Sequence, residues 1–374
     1  MKMDDWSTMM RSLQNLKLAD KSAVELTKSE PDYILDITQQ NNTSDPLLAA
    51  ACSNKTIKIL SRERLTPLSV LSGHQDTITK VEFAKTESHL LFSTSRDRTT
   101  RCWDTRLKTN KEVKTFNSPD SVQADFLSLD VSQSDRLLCV GTESAKDAYL
   151  MFWDVRNPDV LGCYSECHED DITQVKFQAG SDEYLASGSA DGLVCVFDLK
   201  ETTEDDALQM TWNALSCVVC IGWCGENRTE YVYCVTSDNS FHMWDNLQGE
   251  PSCTIEELSS TFTEPSDYIV NCIPELTGVE GNAVLLTGTY EGGLKLMSYK
   301  DKSKILDLPN GHTATVRCSL WDQKTATLVT GGEDALVCLW SQQGSFHSVN
   351  TDIKKSKMKG NKSTEKPYSR KKKS

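Results

Sequence analysis

Three histidines each stand a similar distance ahead of a hydroxyl and a carboxylate. His74 is followed by Ser93 and Asp97, His168 by Ser187 and Asp191, and His312 by Thr330 and Asp334. A base, a hydroxyl and an acid within reach of one another are the parts of a nucleophilic triad. Six residues beyond each acid comes a large ring: Trp103, Phe197 and Trp340. An indole N–H can only donate, a hydroxyl can donate and accept, and an imidazole oriented by a carboxylate presents its second nitrogen to that hydroxyl. Such a set satisfies itself as one buried network. Leaving one member unpaired would cost roughly 1–3 kcal/mol. One register repeated along a chain serves the same turn several times over, which points to structure rather than attack on a substrate. No catalytic residue and no enzymatic activity are expected.

Cysteines offer the other candidate chemistry. Cys217, Cys220 and Cys224 form C-x2-C-x3-C, and Cys163 and Cys167 lie just ahead of His168. Structural zinc takes four ligands, usually offered from turns. Cys217 and Cys220 fall instead in an alternating stretch, where an odd separation sends side chains to opposite faces. His168-Glu169 lacks the second histidine of a zincin motif, and no phosphate-cradling glycine loop is present. Neither a metal nor a cofactor is expected.

The elements that must carry these residues are short strands. From Gly73 to Arg106 a Gly-His pair leads into an alternating segment with Ile78, Val81 and Phe83. A second follows with Leu91 to Ser93, then a turn at Arg96-Asp97 and a third segment ending in Trp103-Asp104. This unit resembles one WD repeat. With Trp103 as ruler, equivalent positions fall at Leu60, Trp103, Trp153, Phe197, Trp244, Met297 and Trp340. The resemblance implies an all-β, seven-bladed WD-repeat β-propeller, read here as residues 23–345. Blade one has Asn54 and Leu60 in the Asp and Trp columns; blade three keeps Asp147 and Trp153 but no histidine; blade five keeps Asp238 and Trp244. Blade six, with Thr287, Glu291 and Met297, is the most diverged. The family implies no enzymatic activity and a scaffold for other proteins.

Residues 1–22 precede the repeats, and Trp6, Met9, Met10, Leu13 and Leu16 share one helical face, to pack on the propeller or to bind a partner. The alternating run Ala23–Lys28 is expected to close the ring as the outer strand of blade seven, because an open ring would expose a sheet edge. Residues 346–374 read as a disordered basic tail. Residues 354–374 carry ten Lys or Arg against one Glu, leaving a net charge of −23 on residues 1–353. The body should attract basic partners and repel nucleic acid, for which only the tail is suited. The tail's Ser369-Arg370-Lys371-Lys372-Lys373 end resembles a nuclear localisation patch. The fourteen cysteines lie mostly in strand patterns and read as reduced core residues. No apolar run approaches the roughly 18 residues of a membrane span. A soluble protein of the nucleus or cytoplasm, or both, is expected.

Three partner surfaces follow. Acidic residues gather at Glu166, Glu169, Asp170 and Asp171 and again at Glu201, Glu204, Asp205 and Asp206. They suit a solvated rim or a docking surface for a basic histone or ribosomal protein. Residues just before the turn acids, Arg96, Ala190, Ser237, Tyr290 and Glu333, are expected at the channel mouth as partner contacts. Finally, Arg106 and Arg156 end two successive WD-x-R boxes. Such paired boxes are similar to those of proteins that dock on the damaged-DNA-binding adaptor of the cullin-4 ubiquitin ligase, although the SAKDAY insertion departs from the box in blade three. The plainer role for each Arg is a bridge to an Asp of its own turn.

Overall fold

A computed structural model describes residues 10–24, 32–41, 43–225, 227–277 and 282–342. They form seven four-stranded antiparallel sheets, the blades of a β-propeller. Blades one to six are consecutive: 34–72, 78–117, 126–164, 174–213, 218–255 and 268–308. Strand alternation explains the pairing. In every blade the Trp-column residue faces an apolar second-strand residue: Leu60 faces Leu48, Trp103 faces Leu91, Trp153 faces Leu138, and Trp340 faces Leu328. These pairs form the buried layers between blades. Where blades approach most closely side chains vanish: a Cβ on Gly188 would lie 2.7 Å from Ile221 and 2.8 Å from Val218 of the next blade.

Blade seven joins three strands from Val316 to Ser341 to a strand from near the start of the chain, Lys17–Ala23. Leu18 faces Trp340 and Ala23 faces Leu336. The closing strand is therefore not Ala23–Lys28 but the segment before it. Leu13 and Leu16 anchor it, being 0 % and 3 % exposed among Leu276, Trp321 and Trp340. Residues 10–14 are helical, and Met10 packs against the same cluster, so this part of the N-terminal face lies on the propeller; Trp6 and Met9 lie outside the described residues. So do Glu25–Lys28 and the basic tail.

The first strand of each blade lines the central channel with Asp36, Lys80, Asp130, Lys176, Cys220, Asn271 and Ser319. Lys80 pairs with Asp36 at 2.7 Å, and Lys85 reaches Glu82 and, at 3.4 Å, Asp130. Burial works against the Glu82 carboxylate, but Lys85, Lys176 and Lys80 outweigh it and hold its pKa down at about 2. Across the seam between blades one and seven, buried Arg62 donates to Gln39 (3.2 Å), Asp322 (3.2 Å), Thr325 (3.0 Å) and Thr327. Eleven of the fourteen cysteines are buried, as apolar core residues would be. Among the described residues no helix is long and apolar enough to cross a membrane.

Candidate functional site

In blade two His74 Nδ1 lies 2.9 Å from Asp97 Oδ2 and Nε2 lies 2.8 Å from Ser93 Oγ. Trp103 Nε1 donates to the same hydroxyl at 2.8 Å. Blade seven repeats the set, with His312 3.0 Å from Asp334, 2.8 Å from Thr330 Oγ1, and Trp340 Nε1 3.0 Å from that oxygen. Blade four has His168 3.1 Å from Asp191 and 2.7 Å from Ser187, while Phe197 supplies no donor. In blades two and seven the lengths fit Nδ1–H donating to the carboxylate, the hydroxyl donating to Nε2, and the indole donating to the hydroxyl. Burial disfavours the Asp97 carboxylate, yet hydrogen bonds from His74, Thr99 and the Gln75 N–H hold its pKa below the ordinary range. Asp191 and Asp334 are held down in the same way. Burial also opposes charging His168, but its contacts with Asp191 and Cys195 prevail and raise it to about 9. Without an indole on Ser187, that hydroxyl keeps a lone pair free for a second imidazole N–H. Ser93, Ser187 and Thr330 are each 0 % exposed, so these three sets brace the turns and are closed to a substrate.

Blade three shows the contrast. Trp153 Nε1 is buried with no partner, because Val140 stands where Ser93 stands in blade two. Phe116 and Phe126 pack edge-on against that indole at 6.3 and 5.9 Å, so dispersion takes the place of the bond. Asp147 accepts the nearby Tyr149 hydroxyl, at 3.1 Å. Among the described residues no three His, Cys, Asp or Glu converge on a metal-sized site; Cys217 and Cys220 are partly buried and Cys224 is buried.

The two acidic loops meet. The Glu204 carboxylate accepts the backbone N–H groups of Ser165 and Glu166, both at 2.8 Å. Thr203 caps the short helix Glu204–Ala207, its hydroxyl accepting from Asp206 N and donating to Asp206 Oδ2 at 2.7 Å. Glu166, Glu169, Asp170, Glu201, Asp205 and Asp206 remain exposed, whereas Glu204 and Asp171 are half-buried, Asp171 accepting Ser144 N at 2.8 Å. Residue types flag the acids, but not the contact that joins two loops from adjacent blades.

Of the residues expected at the channel mouth, Arg96 approaches Glu143 at 3.5 Å and Asp125 at 3.8 Å, and Glu333 pairs with Arg317 at 2.6 Å. Tyr290 is 65 % exposed and tilts against Tyr268 at 5.5 Å. Ala190 is half-buried, and the Ser237 hydroxyl sits 3.5 Å from that of Ser216. Arg106 and Arg156 each fold back onto the Asp of their own WD pair: Arg106 on Asp104 (3.0 and 2.6 Å) and Arg156 on Asp154 (2.9 and 2.5 Å).

Comparison with known proteins agrees with this architecture. The family described as "WD domain, G-beta repeat" matches residues 65–104, 161–198 and 303–341, the three spans that contain the histidine networks. The "WD repeat-containing protein 89 homolog" of Dictyostelium discoideum is 29% identical over 340 residues, covering 88% of this chain and 89% of its own. "WD repeat-containing protein GTS1" of Arabidopsis thaliana is 27% identical over 377 residues, covering 92% of this chain and 93% of its own. A "guanine nucleotide-binding protein subunit beta" of Oryza sativa subsp. japonica is 25% identical over 270 residues, covering 69% and 67%. With seven sheets in a closed ring and three spans matched by the WD-repeat pattern, the chain is a seven-bladed β-propeller that carries WD repeats.

Proposed function

We propose that the protein is a non-enzymatic scaffold for other proteins, and that the acidic side at blades three and four receives a basic client such as a histone or ribosomal protein. The observation that carries this reading is the pair of Glu204 hydrogen bonds to Ser165 N and Glu166 N. They fasten two loops 38 to 39 residues apart, so carboxylates that would otherwise sample many separations are held as one field. A preordered field of one sign speeds encounter with an oppositely charged partner and sets its orientation. The net charge of −23 on residues 1–353 works in the same direction. The test replaces three exposed acids, Glu166→Lys, Glu169→Lys and Asp205→Lys, leaving Glu204 in place. Affinity for purified core histones and for a basic ribosomal protein fraction should fall at least about tenfold, with a flatter salt dependence. Unchanged affinity refutes the basic-client reading.

A second reading is a substrate receptor of the cullin-4 ligase. It is supported by two guanidinium groups on adjacent blades, each fixed by its own Asp, with side chains 65% and 75% exposed. A fixed guanidinium loses little freedom on meeting a partner's carboxylate. Arg106→Ala combined with Arg156→Ala should abolish adaptor co-purification and leave the unfolding midpoint unchanged. Equal recovery of the adaptor with the variant refutes it.

A further inference from the structure

The outer strand of every blade but the second carries a bulge beside the Trp column. In blade one the register skips Leu68, between Ser69 opposite Ile59 and Pro67 opposite Leu60. In blade three it skips Leu161. Val113 occupies the same place in blade two, its N–H donating to Cys102 O just before the ladder begins at Lys114. In blades four and five the equivalent residues are polar, Gln209 and Ser252. A bulge leaves its extra residue unpaired and re-aims side chains. Leu68, Val113 and Leu161 are 57%, 48% and 64% exposed, and Leu107, in the turn leading to Val113, is 47% exposed. Scattered apolar residues on a surface need no explanation. One equivalent position left apolar and exposed on three successive blades is a pattern, and it marks an interaction edge.

Charge identifies what fits there. The connection 106–114 holds Arg106, Lys108, Lys111 and Lys114 against a single acid, Glu112, in a body of opposite net charge. Glu112 is turned to Arg101 at 3.1 Å, Arg106 is closed on Asp104, and Lys114 donates to Val155 O of the next blade. Lys108 and Lys111 are exposed beside Leu107 and Val113. We propose that the rim of blades one to three is a docking surface for an acidic amphipathic segment of a partner protein. Leu68, Val113 and Leu161 take its apolar side chains, and Lys108 and Lys111 take its carboxylates. Its lysines differ in sign from the acidic loops, so this surface favours an acidic partner where those loops favour a basic one.

The full-length protein is titrated against a fluorescent peptide of leucine and glutamate at helical spacing, and against the same peptide with lysine for glutamate. The glutamate peptide should bind saturably and protect the amides of 106–114 and 160–164 from hydrogen exchange. Leu68→Ser with Val113→Ser and Leu161→Ser should weaken it at least about tenfold, the order expected when several exposed aliphatic groups lose burial. Lys108→Glu with Lys111→Glu should weaken it severalfold and remove its salt dependence; because these two residues are solvent-facing, that variant tests the surface even if the serine variant folds poorly. Affinity untouched by the lysine variant, or protection confined to other blades, overturns the proposal. Sedimentation showing self-association that the serine variant abolishes also overturns it, because the occupant is then a second copy of this chain.

Discussion

Ser93→Ala removes one oxygen and strands two groups. Trp103 Nε1 and His74 Nε2 both meet Ser93 Oγ at 2.8 Å, and the hydroxyl is 0 % exposed, so water cannot take its place without a cavity opening. Each orphaned buried group costs about 1–3 kcal/mol, which sets the loss at roughly 2–6 kcal/mol. Trp103→Phe removes one of the two orphans in advance, as Phe197 does naturally in blade four. The double variant should therefore be less damaged than the sum of the singles by about 1 kcal/mol or more. Urea unfolding of the full chain, followed by tryptophan fluorescence and by circular dichroism, gives the midpoints. If Ser93→Ala unfolds within about 0.5 kcal/mol of wild type, or if the two changes add, the hydroxyl is not the hub of the network.

Other outcomes follow from the same contacts. His168 is raised to about 9 from 6.5, so its stabilising effect is fully present below pH 6.5 and fades as pH rises through 9, a difference of order 3 kcal/mol. Unfolding midpoints measured from pH 6 to 10 should decline over that window, and Asp191→Asn should flatten the decline. Arg62→Met should lower stability by a few kcal/mol, because it leaves half-buried Asp322 without its cation. Hydrogen exchange should speed up first in blades one and seven; uniform loss across all blades would show that Arg62 is not a seam clasp.

Much of the ring was legible in the sequence because a propeller repeats its own grammar. The Trp column, spaced by 43 to 53 residues, coincides with the third-strand residues that face the second strand in every blade. The closing strand was misplaced by six residues, at Ala23–Lys28 instead of Lys17–Ala23. Alternation alone cannot choose between adjacent segments; the choice rests on the burial of Leu13 and Leu16 against blades six and seven, a tertiary effect. The Glu204 contact with Ser165 and Glu166 and the Arg62 reach to Asp322, 260 residues away, leave no local trace, since carboxylates and guanidinium groups look alike whether solvated or engaged. The rim residues were hidden for another reason. A bulge position exists only once the ladder register is known, and in the sequence Leu68, Val113 and Leu161 look like ordinary strand residues.

Blade seven also imposes a timetable. Its outer strand, Lys17–Ala23, is synthesised before its partner, Leu336–Ser341, which comes about 300 residues later. At roughly 5–20 residues per second, that interval is on the order of 15–60 s. Until then Leu18 has no Trp340 to cover, and blade one has no neighbour on its seventh-blade side. The six internal blades can assemble as they emerge, but the ring cannot shut before the final strand is free. A chain truncated before Leu336 would keep its early strand permanently unmated, so quality control of this protein amounts to checking that these two distant strands have met.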